Sequence, residues 1–288
     1  MLKKTAAIAL LATTFNSYGG DTLGYNERLY RGQQLTSQNG QYSLIMRDDG
    51  VLALYDLSGK LRWSANKNYE NCDIGYYATL DYSLYIKSLK RTDSNNSATC
   101  IRWYPNPGPR METYTKDSPK NTYLRVQDDG NIVITTIKPL WFTHTAGEIL
   151  PNSNDLKFPP GTRFTPGSTY DVGFYKYTLQ TDGNFVIYKR GVAIWNTGTQ
   201  GKSVHRAEFQ EDGNFVIYDV NNKPLWFSRT QGNLGAYLAF QSDGNMVIYK
   251  PTPVWALWGV TLKDYSAPPK KAKYIGKEIT FPIWEWKF

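Results

Sequence analysis

Three copies of one short pattern in the second half of the chain carry side chains suited to hydrogen bonding with hydroxyl groups. Residues 179–188, 209–218 and 240–249 each place glutamine, aspartate, asparagine, valine and tyrosine at alternate positions. A carboxylate accepts hydrogen bonds, carboxamides donate and accept, and a phenol does either. This set suits a sugar, with the valine against the ring carbons. The predicted carbohydrate-binding residues are Gln180, Asp182, Asn184, Val186, Tyr188, Gln210, Asp212, Asn214, Val216, Tyr218, Gln241, Asp243, Asn245, Val247 and Tyr249.

The same pattern lacks what catalysis requires. No nucleophile stands beside a base, and the only two histidines, His144 and His205, lie outside the known catalytic motifs. Aspartates on threefold-related turns would be too far apart to act as a glycosidase pair. We therefore expect a protein that is not an enzyme and that has no cofactor and no metal site.

A purely structural interpretation of the pattern is also possible. Asp-Gly between two runs of alternating apolar residues is a strong hairpin signal, and the tyrosines could serve as cross-strand packing. However, residues 46–55 keep Asp49 and Gly50 but lack the glutamine and the asparagine. The turn folds without those two amides, so their recurrence favours a binding site.

The repeat also predicts the architecture. The copies recur every 30 to 31 residues, and each is followed by a tryptophan: Trp195, Trp226 or Trp255. Hairpins of this period predict a threefold or propeller-like all-β architecture, and we expect the three tryptophans to meet on its central axis. Alternation places Phe185 and Ile187 in the core and turns Val186 to a polar outer face.

The first half of the chain carries a degenerate version of the repeat. Residues 126–135, followed by Trp141, keep most of the pattern but end in Thr135, and residues 46–55 are followed by Trp63. No middle copy is recognisable, and a polar segment, roughly residues 64–121, takes its place. The predicted weaker carbohydrate-binding residues are Gln127, Asp129, Asn131 and Val133.

Four segments follow from these patterns. The basic start and apolar run predict a possible signal peptide in residues 1–20, and with it secretion. A degenerate N-terminal domain spans residues 21–150, the C-terminal domain spans 151–262, and a basic extension spans 263–288. In an oxidising compartment Cys72 and Cys100 would form a disulfide; in the cytosol they would be two buried thiols.

Charge and composition exclude only some classes of binding partner. The 33 basic and 25 acidic side chains give a net charge of +8, which favours attraction to polyanions without choosing among them. No run of 18 apolar residues is present, and no nucleic-acid-binding module is recognisable. We expect a monomer that neither spans a membrane nor binds nucleic acid.

The pattern Gln-x-Asp-x-Asn-x-Val-x-Tyr, complete at residues 180–188, 210–218 and 241–249, resembles the signature of the monocot mannose-binding (bulb-type) lectins. That resemblance implies two tandem β-prism domains, each of three four-stranded sheets. It also implies that the aspartate and asparagine grip the 2-hydroxyl of the sugar, the glutamine the 3-hydroxyl and the tyrosine the 4-hydroxyl.

The tandem arrangement and the ending Ile-Trp-Glu-Trp-Lys-Phe resemble the lectin-like bacteriocins of the putidacin and pyocin L type. This resemblance implies a protein that kills related Gram-negative bacteria from outside. Its second domain would bind D-mannose or D-rhamnose units of the lipopolysaccharide O-antigen. Its first domain would select the outer-membrane β-barrel assembly machinery. The alternative is a secreted mannose-binding lectin or adhesin without killing activity.

Overall fold

A computed structural model of the protein describes residues 20–65, 75–81, 84–89, 99–103 and 121–259. These ranges contain 22 β-strands and no α-helix, so the predicted all-β class is confirmed. Within them no helix has the length and apolarity needed to cross a membrane. Contacts divide the chain into two compact units: the described part of unit 1 ends at Ile134 and adds Val254–Trp258, and unit 2 contains Thr135–Pro253.

Unit 1 is built from short antiparallel strands in three sheets. Two sheets have four strands each, in the orders β2-β7-β8-β9 and β3-β4-β5-β6, and in the third β1 pairs with β10. Residues 132–134 of β11 and 254–256 of β22 also belong to this unit. The strands are β1 (Thr22–Gly24), β2 (Arg28–Tyr30), β3 (Gln34–Thr36), β4 (Tyr42–Met46), β5 (Leu52–Asp56), β6 (Leu61–Ser64), β7 (Tyr77–Leu80), β8 (Leu84–Leu89), β9 (Thr99–Trp103), β10 (Thr122–Val126), β11 (Ile132–Phe142) and β22 (Met246–Ala256).

Unit 2 repeats the three-sheet plan. Two sheets have the orders β14-β15-β16-β17 and β13-β18-β19-β20, and in the third β12 pairs with β21 and β21 with β22. Residues 135–142 of β11 belong to this unit, where Thr143 donates its backbone N–H to Met246 O at 3.1 Å. The remaining strands are β12 (Leu156–Phe158), β13 (Thr162–Phe164), β14 (Thr169–Val172), β15 (Tyr175–Leu179), β16 (Phe185–Lys189), β17 (Val192–Asn196), β18 (Val204–Phe209), β19 (Phe215–Asp219), β20 (Pro224–Phe227) and β21 (Tyr237–Phe240).

The core of unit 2 is an aromatic cluster that the alternating residues supply. Phe185 and Ile187 are buried in it, as the alternation predicts, and the rings of Tyr177 and Phe240 stack with centroids 4.5 Å apart. A single sheet cannot cover its own apolar face, so the three sheets share this core. The hairpins that carry the motifs are thereby fixed by their inner side chains.

The tryptophan cluster of unit 2 differs from the prediction. Trp195 and Trp226 meet Trp141, with ring centroids 5.6 to 6.0 Å apart in edge-to-face arrangements. The expectation that Trp255 joins them is wrong, because Trp255 packs against the core of unit 1. Unit 2 therefore takes its third tryptophan, Trp141, from the segment that follows the first-half copy of the repeat.

A middle copy of the repeat exists in unit 1 although its sequence is not recognisable. Strands β7 and β8 form a hairpin in which Leu80 lies opposite Leu84, and Leu80, Leu84 and Ile86 are buried in the core. The connection is only residues 81–83, so the five-residue turn of the motif is missing. This copy has the alternating core residues of the repeat but not the residues of the motif turn.

Several predictions concern residues outside the described ranges. These are the signal peptide, Cys72 of the proposed disulfide and the C-terminal extension. They stay predictions.

Replacing Trp141 with alanine should destabilise unit 2 by about 3 kcal/mol, because a large ring leaves the tryptophan cluster and a cavity remains. Trp255→Ala should destabilise unit 1 instead. Hydrogen exchange measured by mass spectrometry along a urea series reports on the peptides of each unit separately. Loss of protection in unit 1 alone on Trp141→Ala would contradict this assignment of the tryptophans.

Candidate functional site

Each motif of unit 2 forms the turn of a hairpin between two core strands. In the first copy Gln180 donates its backbone N–H to Asn184 O at 2.8 Å, and Gly183 donates to Gln180 O at 2.9 Å. Gly183 has φ +89°, a conformation that favours glycine. The turn therefore occupies the five positions from glutamine to asparagine and holds their side chains at one end of the hairpin.

One carboxylate oxygen of the motif aspartate forms a structural hydrogen bond within the turn. Asp182 Oδ1 accepts the backbone N–H of Asn184 at 2.9 Å, which is an Asx turn. In unit 1, Asp129 accepts in the same way from Asn131 at 2.8 Å, and Asp49 accepts from Val51 at 3.2 Å. The other two copies of unit 2 repeat the contact, from Asn214 to Asp212 at 3.0 Å and from Asn245 to Asp243 at 2.9 Å.

The motif asparagine is anchored by its carboxamide oxygen. Asn184 Oδ1 accepts the backbone N–H of Thr199 at 3.2 Å and lies 3.2 Å from the Thr197 hydroxyl. Thr199 also donates its hydroxyl to Gly183 O at 2.7 Å, which ties the turn to the strand that follows the hairpin. Equivalent contacts join Asn214 to Ser228 and Thr230, and Asn245 to Thr143 and Thr145.

These anchoring hydroxyls were not predicted, although the sequence contains their signal. A Ser/Thr-x-Thr element begins two residues after Trp141, Trp195 and Trp226. After Trp255 the corresponding positions are Leu257 and Gly259. The element therefore marks the three tryptophans that belong to unit 2.

The motif glutamine and tyrosine form a pair across the hairpin. The amide Nε2 of the glutamine donates to the tyrosine hydroxyl at 2.8 Å in the first two copies and at 3.1 Å in the third. Burial raises the pKa of Tyr249, and the carboxylates of Asp155 and Asp243 raise it too, whereas the Gln241 bond lowers it. The phenol therefore keeps its proton at neutral pH and can donate a hydrogen bond.

The third turn has two additional supports. Tyr177 donates its hydroxyl to the Gln241 carbonyl at 2.7 Å, and burial raises the pKa of this phenol. Asp155 Oδ1 accepts the backbone N–H of Ser242 at 2.8 Å and its hydroxyl at 3.0 Å. Tyr177 and Asp155 therefore both stabilise the third turn by hydrogen bonds.

Most polar groups of the unit 2 motifs are accessible. Asp182 is exposed, and the motif glutamines and tyrosines are partly exposed, as are Asn184 and Asn245, whereas Asn214 is only 9% exposed. The three valines are different: Val186, Val216 and Val247 are only 2%, 3% and 2% exposed. Val186 lies between Thr178 and Asn196 in the sheet, so little of its methyl surface is available to a ligand.

The corresponding copies in unit 1 have lost this open arrangement. Gln127, Asn131 and Val133 are 4%, 3% and 1% exposed, and Asn131 Oδ1 accepts the backbone N–H of Trp258 at 3.2 Å. A sugar could reach these amides only if the unit changed its packing. Of the four residues predicted as a weaker site, only Asp129 is exposed.

In the copy at residues 46–55, arginine replaces the motif glutamine. Arg47 Nη1 donates to Tyr55 at 3.2 Å, and Arg47 also forms an ion pair with Asp49. The aspartate oxygen that is unused in unit 2 is therefore neutralised here. Among the described residues no group of His, Cys, Asp and Glu side chains could hold a metal ion.

Replacing Asp182 with alanine should lower the free energy of unfolding by about 1 kcal/mol, because the turn loses the acceptor of a backbone N–H. Asp182→Asn should change it little, since the amide oxygen can accept the same bond. Urea denaturation of both variants measures the difference. The control Asp171→Ala removes an exposed carboxylate with only a 3.8 Å ion pair and should have no measurable effect. Equal losses from the alanine and asparagine variants of Asp182 would contradict the structural role of Oδ1.

Comparisons with known proteins found similarity among solved structures only. A scan against protein-family models found no match, and a search of curated proteins also found none. The chain is similar to the two-domain, fetuin-binding lectin of Scilla campanulata, with 23% identity, 82% of this chain and 99% of that chain covered, and a TM-score of 0.40.

Two further lectins are similar to part of the chain. One is the mannose-specific agglutinin of snowdrop (Galanthus nivalis), solved with methyl-α-D-mannoside, and the other is the Polygonatum cyrtonema lectin, solved with a monomannoside. Each has 36% identity, with 36% of this chain and 94% of that chain covered, and a TM-score of 0.32. The solved structures similar to this chain thus include monocot mannose-binding lectins and a fetuin-binding lectin of two domains.

Proposed function

We propose that unit 2 is a carbohydrate-binding module that holds one sugar residue at each of its three motifs. One observation carries this proposal: every copy has the same four groups left over once the hydrogen bonds of the fold are assigned. In the first copy they are the Asp182 Oδ2, the Asn184 Nδ2, the Gln180 Oε1 and the hydroxyl proton of Tyr188. Within the described residues none of these groups has a hydrogen-bond partner.

The four groups match the chemistry of a neutral sugar. Each sugar hydroxyl can donate one hydrogen bond and accept others, and the site offers two acceptors and two donors. The carboxylate adds a charge-assisted bond, which is stronger than a neutral one. The same carboxylate would repel a phosphate or a uronate, so this arrangement disfavours nucleic acid and acidic polysaccharide as ligands.

The sugar class follows from the sequence pattern. The complete Gln-x-Asp-x-Asn-x-Val-x-Tyr pattern resembles the signature of mannose-binding lectins, so we assign D-mannose or D-rhamnose units to the three motifs. A shallow polar site binds one sugar weakly because water competes for every hydroxyl. Three sites facing a repeating polysaccharide, such as a lipopolysaccharide O-antigen, would raise the avidity roughly 10²-fold or more.

The finer proposal is that the chain is a secreted, lectin-like bacteriocin. Unit 1 keeps the fold but buries Gln127 and Asn131 and neutralises Asp49 with Arg47. Its surface is therefore free for a partner other than sugar, as the resemblance to bacteriocins of the putidacin and pyocin L type implies. The β-barrel assembly machinery of the target bacterium is the partner that we propose. A secreted lectin or adhesin without killing activity is the competing function.

The combined variant Asp182→Asn, Asp212→Asn and Asp243→Asn should abolish retention on a D-mannose or D-rhamnose matrix. It keeps the turn acceptor and replaces the unused oxygen with a donor. Loss of a hydrogen bond to a charged group costs about 1.5–3 kcal/mol, so the affinity of each site should fall roughly tenfold to a hundredfold. Affinity chromatography of the full chain, with circular dichroism to check the fold, measures the effect.

The matched control is Asp49→Asn, which makes the same change in a turn of unit 1 that lacks the sugar groups. We expect this variant to bind the matrix as tightly as the parent protein. Unchanged retention of the triple variant would refute sugar binding by the three motifs. Loss of retention in the control would show that the effect is not specific to them.

The antibacterial proposal is tested by spotting purified protein on lawns of related Gram-negative strains. We expect clear zones on a subset of strains, and none from the triple asparagine variant, because surface attachment precedes killing. Growth of every strain in a broad panel would favour the adhesin.

A further inference from the structure

A cleft of about 410 Å³ adjoins the first motif of unit 2. Its lining includes Tyr188 of the motif, together with Asp171, Phe174, Lys176 and Arg190. Its volume falls within the range of small-molecule sites, roughly 300–1,000 Å³. Because Tyr188 also accepts the Gln180 bond at 2.8 Å, the motif and the cleft share one side chain and form a continuous surface.

The charges around the cleft are paired. Lys176 lies 3.8 Å from Asp171, and Glu148 is shared by Arg190 at 3.3 Å and Lys189 at 3.6 Å. The Arg190 guanidinium packs over the Phe174 ring, 4.2 Å from its centroid. The cleft thus presents aromatic surface beside paired charges, which suits a neutral, amphipathic ring rather than an ion.

The other two motifs lack counterparts of Phe174 and Arg190. Two residues beyond the motif tyrosine stands Arg190 in the first copy, but Val220 in the second and Pro251 in the third. Phe174 accepts the backbone N–H of Arg190 at 3.0 Å, and strand register places Ser203 and Gly235 at the corresponding positions of the other copies. The Phe174–Arg190 pair is therefore particular to the first motif. In the second copy Arg206 instead packs over the motif tyrosine Tyr218, 4.5 Å from its ring centroid, and in the third copy Tyr237 contacts Tyr249 with centroids 5.5 Å apart.

We propose that this cleft is a subsite for the sugar residue next to the one held by the first motif. The inference rests on the proposed function. A neutral pyranose in the cleft would lie beside the stacked Phe174 and Arg190 side chains, with its hydroxyls toward the Arg190 guanidinium and the Lys176–Asp171 pair. The first motif accordingly recognises two linked neutral sugars.

The test uses the full chain carrying Asp212→Asn and Asp243→Asn, so that only the first motif binds. Isothermal titration compares methyl α-D-mannoside with a panel of mannobioses and D-rhamnose disaccharides of different linkage. We expect the best disaccharide to bind at least tenfold more tightly than the monosaccharide. In this background Phe174→Ala should reduce disaccharide affinity to the monosaccharide level and leave the monosaccharide affinity unchanged.

Two further variants keep the result interpretable. Arg190→Ala removes a guanidinium that would donate hydrogen bonds to the second sugar, so it should weaken disaccharide binding. Because this side chain is exposed, the fold should be unaffected, even if Phe174→Ala does not fold. The matched control Val220→Ala, at the corresponding place beside the second motif, should change nothing. Monosaccharide binding with no disaccharide gaining affinity would overturn the subsite alone. Absence of all sugar binding would overturn the proposed function and the subsite with it.

Discussion

The architecture of each motif depends on one constraint: backbone N–H groups of the five-residue turn, and of the segment that follows the next strand, need acceptors that the strands cannot supply. Aspartate and asparagine provide them with one oxygen each, as Asp182 does for Asn184 and Asn184 does for Thr199. A buried N–H without an acceptor is costly, so these two oxygens are not available to a ligand. What each residue can offer a sugar is its second polar atom, which the fold holds in place without using it.

Because the asparagine oxygen accepts hydrogen bonds from outside the hairpin, each motif also depends on residues beyond its own hairpin. The asparagine oxygen is saturated only when a Ser/Thr-x-Thr element lies beside it, and in the third copy that element is Thr143 and Thr145, about 100 positions away in sequence from Asn245. The first residues of unit 2 therefore complete its last turn. A truncation that removed them would expose the acceptor atoms of the third motif while leaving its own sequence intact.

Local patterns predicted the parts of the structure that depend on local interactions. Alternation identified Phe185 and Ile187 as core, and the recurring turns identified three hairpins, because both signals lie within ten residues. The tryptophan assignment failed because Trp141 and Trp255 both lie six residues beyond the end of their copies, so spacing alone cannot distinguish them. Burial of Val186 was missed because alternation gives the face of a residue and not how closely its neighbours Thr178 and Asn196 cover it.

The same constraint indicates which residues report on function in a diverged copy. The Asp49 and Asp129 turns keep their acceptor contact although their surroundings no longer form an open sugar site, so a retained aspartate shows only that the hairpin is intact. The glutamine and tyrosine pair satisfies no backbone group. Its replacement by Arg47 and Tyr55 leaves the turn in place while adding a cation that occupies the aspartate. The side chains around the turn can therefore change in one unit without loss of the hairpin.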